Sequence, residues 1–96
     1  MKHITQLRDD LSMASGLLST AASLIGSDAT TTKDALEASA RELNTLYFDL
    51  SHYTVAEIST HIKKALDLLP QWDTLRKLER GQQVFALCKS VTTLLK

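Results

Sequence analysis

Ile4, Leu7, Leu11, Ala14, Leu18, Ala21 and Ile25 follow one another at alternating steps of three and four residues. This heptad stripe predicts one amphipathic helix about 33 Å long, stopped by Gly26 with Ser27 and Asp28 behind it. Ser12, Ser15, Gly16, Ser19, Ala22 and Ser23 surround the stripe. Side chains this small let neighbouring backbones come close, so the helix is expected at the centre of the fold or at an interface.

The run SDATTT at 27–32 reads as a loop in which Thr30, Thr31 or Thr32 caps the next helix. Asp34 and Glu37 then suit its positive N-terminal end. A second stripe follows in Leu36, Ala40, Leu43, Tyr47 and Leu50. No Gly or Pro interrupts the chain between Gly26 and Pro70, which leaves two readings of 33–69: one long helix, or two with a break at 51–54. The break is favoured, because Thr54-Val55-Ala56-Glu57 is a capping box and Tyr53 and Ile58 are placed for a hydrophobic staple. The stripe also changes phase there, continuing as Val55, Ile58, Ile62, Ala65 and Leu69.

Pro70 disfavours helical geometry at Leu69 and suits the first turn of a further helix. Trp72, Leu75, Leu78, Val84, Phe85, Leu87, Cys88, Val91, Leu94 and Leu95 supply the last apolar set, with Gly81 placed to kink or split it. The expected fold is all-α, a compact bundle of four to five helices in a single domain over 1–96.

Composition supports this and adds an asymmetry. Leu and Ala, both strong helix formers, dominate the 44% of residues that are hydrophobic, and aromatics are only 5%. Formal net charge is zero, which argues against a polybasic coat for nucleic acid or membranes. Yet residues 1–60 carry four basic and eight acidic side chains, net −4, while 61–96 carry seven and three, net +4. Either the halves neutralise each other on folding or the second half is a basic docking face. Residues 11–27 are uncharged, but Asp9 and Asp10 precede them and Ser12, Ser15, Ser19, Thr20 and Ser23 interrupt them, so neither a secretory signal nor a membrane span is expected. The single cysteine excludes an internal disulfide and leans the expected location toward the cytoplasm.

Chemistry finds little support. His3, His52, His61 and Cys88 show no metal-ligand spacing, and only Asp49-Leu50-Ser51-His52 approaches the motif of a di-iron bundle. Cys88 sits in an apolar run, suiting a small core residue better than a nucleophile. There is no nucleophile elbow and no glycine-rich phosphate loop. No enzyme, metal or cofactor is expected.

Lys63, Lys64, Arg76, Lys77 and Arg80 could contact phosphates, but Asp67, Asp73 and Glu79 are interspersed, which makes nucleic acid the second choice of partner. The string SHYTVAEI at 51–58 resembles the helix start of small bacteriocin-immunity proteins. It covers eight residues, all explained by the capping box and staple, and the acidic surface of that family has no counterpart in 61–96. No family assignment rests on it. The leading expectation is a non-enzymatic, stand-alone accessory factor that binds another protein, as inhibitor, immunity-type protein, adaptor or regulator. Its contact surface is expected at Trp72, Arg76, Lys77 and Arg80, extended by Lys63 and Lys64, and it would meet an acidic partner face. Arg76 and Arg80 are expected one helical turn apart, with Trp72 as aromatic anchor. Homodimerisation is expected through the stripe of the first helix.

Overall fold

The computed structural model describes residues 4–27 and 29–95, so His3 lies outside the described residues. About four fifths of the described residues are helical, and none is in a strand. The helices are α1 (Ile4–Ser23), α2 (Thr30–Phe48), α3 (Val55–Asp67), the single turn α4 (Trp72–Leu75) and α5 (Gly81–Leu95), with a 3-10 turn at Leu50–His52. The chain is therefore the expected all-α bundle, 39 × 19 × 18 Å in extent.

Each boundary has a local cause. Between α2 and α3 the chain breaks where the capping box predicts. Thr54 accepts from the Glu57 backbone N–H at 3.2 Å, and the Thr54 N–H donates to Glu57 Oε1 at 2.9 Å. Tyr53 lies with its ring 4.9 Å from that of His61. The start of α2 differs from expectation. Ala29 occupies the cap, no threonine side chain caps the helix, and Thr30 Oγ1 instead donates to the Ser27 carbonyl at 3.1 Å. The helix thus begins within the threonine run, which places Asp34 beyond its first turn.

At the other end of the sequence, Pro70 precedes the cap of α4 instead of opening it, and Gln71 holds that cap position in extended geometry. Gly81 splits the last segment. A Cβ on Gly81 would fall 1.5 Å from the Leu75 carbonyl oxygen, so the start of α5 can cross the end of α4 this closely only with glycine.

α1 packs against both α2 and α5, and α2 carries α3 on a further face. The heptad residues Leu7, Leu11, Ala14, Leu18, Ala21 and Ile25 are all buried, most of them completely. This is the central position anticipated for α1. It also corrects the site expected for self-association, because the stripe is already covered by α2 and α5 and offers a second copy only the exposed end at Ile4. Leu36, Leu43, Leu46, Leu50, Leu75, Val84 and Val91 complete the core. Ser39 is also fully buried, and its hydroxyl donates to the Ala65 carbonyl at 2.7 Å, tying α3 to α2. α3 has no comparable interface with α5. No helix among the described residues is long and apolar enough to cross a membrane.

Candidate partner-binding site

The loosely joined α3 and α5 frame a groove. Pro70 forces α3 to close early, so the Leu68 and Leu69 N–H groups donate to Ala65 and Leu66 carbonyls three residues back. The chain then extends through Gln71 and delivers Trp72 at the first position of α4. There the indole meets the Phe85 ring at 4.8 Å between centroids, tilted 51°. Trp72 keeps 42% of its surface exposed. Leu66, Leu69 and Pro70 from one side and Phe85, Cys88, Thr92 and Thr93 from the other line a hollow of about 410 Å³ around it.

Lys89 stands on the same side of α5, with Nζ 5.9 Å above the centre of the Phe85 ring. No carboxylate among the described residues lies within 4.0 Å of that ammonium. At the groove floor, burial pushes the Cys88 thiol up to about 11. The buried thiol therefore stays protonated at physiological pH. Thr92 Oγ1 is engaged with the Cys88 carbonyl at 3.0 Å.

The six residues singled out from sequence do not converge. Trp72 alone lines the groove. Lys63 pairs with Asp67 at 2.9 Å on the outer surface of α3, and Lys64 approaches Glu42 of α2 at 3.8 Å. Lys77 and Arg80 border a different hollow, formed with Ser23, Leu24, Ile25 and Gly26 after the end of α1. Arg76 lies 3.9 Å from Asp73. The expectation that Arg76 and Arg80 sit one helical turn apart is corrected: α4 ends at Leu75, and residues 76–80 form the turn that Gly81 closes.

Leu66, Leu69, Phe85 and Lys89 are the groove residues that sequence reasoning passed over. Phe85, Cys88, Lys89 and Thr92 share one face of α5 by their spacing, and that signal was present. What faced them was not readable, since it depends on how far α3 stands from α5.

The remaining polar cluster is structural. His61 Nδ1 and Glu42 Oε1 lie 2.7 Å apart, with Lys64 reaching the other carboxylate oxygen, so Glu42 joins α2 to α3. Asp49 and His52 are both exposed, and the bond between them is from the His52 backbone N–H to the Asp49 carbonyl. Among the described residues, no group of three His, Cys, Asp or Glu side chains could hold a metal ion. A third hollow, of about 290 Å³ at Arg8, Tyr47 and Phe48, contains the most exposed of the large apolar side chains among the described residues, Phe48, but is smaller and lined by fewer residues.

No family model matches the chain, and no curated protein or solved structure is significantly similar to it.

Proposed function

We propose that this protein is a non-enzymatic, cytoplasmic accessory factor that works by binding another protein at the α3–α5 groove. The observation that carries this reading is the half-exposed Trp72–Phe85 pair set in a hollow lined by both apolar and polar side chains. Aromatic residues in a pocket with a polar rim are the usual anchors of protein interfaces, where a few side chains supply most of the binding energy. The Phe85 ring already packs against one face of the indole before binding, which lowers the ordering cost of association.

The same fold gives the nucleic-acid reading no added support. The five cations weighed for phosphate contact are divided between α3 and the α4–α5 turn, and Lys63, Lys64 and Arg76 each face a carboxylate. A backbone-tracking surface needs several unpaired cations along one path.

The test is capture from the native cell by wild-type protein and by Trp72→Ala, with bound proteins identified by mass. Loss of one specific partner, with retained helical circular dichroism, supports the reading. Truncation of a central anchor should weaken binding by more than about 2 kcal/mol. A partner held equally by both proteins places the contact elsewhere, and Arg76→Ala/Arg80→Ala then tests the α4–α5 turn.

A further inference from the structure

We propose that α3 is a flap: the segment 53–69 opens from α2 as one unit while α1, α2 and α5 stay folded.

Its attachments are one-sided. Among the described residues, α2 is the only helix against which α3 packs extensively, whereas α1 is held by both α2 and α5. Of the 13 residues of α3 only Ile58 and Ala65 are buried, against five of 15 in α5. The α2 face beneath the flap is also the more polar one. The Ser39–Ala65 bond and the Glu42–His61 contact, each 2.7 Å long, fix an antiparallel register that brings Ile58 level with Leu46. The seam on α2 is therefore Ser39, Glu42 and Leu46, with one large apolar side chain among them. The neighbouring stripe of Leu36, Ala40, Leu43 and Leu50 is apolar throughout and buried.

Buried apolar area supplies most of the cohesion between helices, so α3 is held more weakly than α1. His61 and Lys64 add little, because their side chains remain 34% and 66% exposed. The Ser39 hydroxyl and the Ala65 carbonyl both regain water on opening, so breaking their bond costs only its modest net contribution.

Both ends of the segment allow the movement. Leu50 and Leu75 are buried and fix the chain on either side of it. Between them, Tyr53, Thr54 and Gln71 have extended backbone, and Pro70 cannot donate to a helical ladder. No helix crosses either junction, so α3 leaves without breaking a turn of α2 or α5. Away from α2, a helix of 13 residues is marginal in water. The opened segment therefore melts, and its backbone N–H groups meet solvent. Opening bares Ser39, Glu42 and Leu46 and takes Leu66 and Leu69 from beside Cys88. It does not depend on whether the α3–α5 groove takes a partner.

Amide hydrogen exchange of the whole chain, followed residue by residue in a urea series, tests this. Corrected for intrinsic rates, the amides from Ile62 to Leu66 should exchange at least about 100-fold faster than those from Leu11 to Leu18. Their rates should also depend only weakly on urea, because a local opening exposes little surface. Leu18→Ala, in the α1 core, should speed α1 exchange at least about tenfold. It should leave α3 exchange unchanged, since Leu18 stays packed while α3 opens. A smaller separation between the helices in wild-type protein, or one urea slope shared by both, overturns the proposal. Equal acceleration of α1 and α3 by Leu18→Ala does the same. Should Leu18→Ala fail to fold, the wild-type rates and urea slopes decide alone.

Discussion

The α1–α2 pair and the α3–α5 pair are built from similar sequence material but differ in closure. Leu11, Leu18, Leu36 and Leu43 disappear completely between their helices. Ile62, Leu66, Leu69 and Phe85 are only partly covered, and Trp72 remains exposed. The first pair is a scaffold whose apolar surface is satisfied internally. The second leaves apolar area in contact with water. The difference shows that amphipathic patterning specifies that a face is apolar, not whether the chain itself will bury it. Small residues on α1 allow close packing along its length, whereas Pro70 ends α3 early and turns the chain away before α3 and α5 can close.

Core truncation should break this comparison most visibly. Leu18→Ala removes a fully buried side chain and should cost about 2–5 kcal/mol in urea unfolding. Leu66→Ala, at the half-covered groove, should cost about 1 kcal/mol or less, since part of its surface is already in water. Equal losses at both positions would show that the groove is closed in solution.

A smaller but still large effect is expected at the turn that sets the α5 position. Gly81→Ala places a methyl group against the Leu75 carbonyl. The backbone must shift, at about 1–3 kcal/mol of destabilisation measured by thermal or urea unfolding. Because the shift moves α5 relative to α4, it should also change Trp72 emission, which an ordinary core defect at Leu18 should leave nearer to wild type.

The capping box gives a third, weaker handle. Thr54→Ala should lower stability by about 1 kcal/mol. The bonds from Thr54, the backbone one first, hold the Glu57 carboxyl below its ordinary value of 4.5. Its contribution is therefore complete above that value and is lost as the pH falls through the lowered one. Comparing wild type with Glu57→Gln between about pH 6 and pH 3 should show a steeper acid loss in the wild type. Parallel curves would remove Glu57 from the cap.

Cys88 provides the smallest effect at neutral pH and the finest probe of the groove floor. Its thiol rises from 9.0 to about 11 through burial, so the folded state holds its proton longer than the unfolded chain. The associated stability is complete below 9.0 and is lost as the pH rises through about 11. Cys88→Ala should abolish that alkaline decline. Reaction of Cys88 with a disulfide reagent near neutral pH should be slow and should accelerate on unfolding. Rapid labelling of the native protein would mean that the groove opens to its floor.

Glu42 offsets part of the electrical asymmetry of the chain. Here a carboxylate of the first half meets both His61 and Lys64 of the second. Neutralisation and an open basic residue therefore coexist. Lys64 is drawn into the α2–α3 contact, whereas Lys89, on α5, finds no carboxylate among the described residues.

Helix identity, the break before Thr54 and the split at Gly81 could be read from the linear chain, because each is decided by groups within a few residues of one another; the end of α1 differs, since the helix closes at Ser23, before Ile25 and Gly26. Heptad spacing defines a face over successive turns, a cap closes across three residues, and glycine permits a local crossing. The start of α2 departs from the pattern, with Ala29 at the cap, since three adjacent threonines offer nearly equivalent starts. Openness of the α3–α5 seam, the burial of the α1 stripe and the separation of Trp72 from Arg80 were settled only by packing. They depend on contacts between residues far apart in sequence, where the position of one helix is set by all its neighbours together. An apolar stripe carries no record of which surface will cover it, and that choice made Trp72 and Phe85 a groove rather than part of the core.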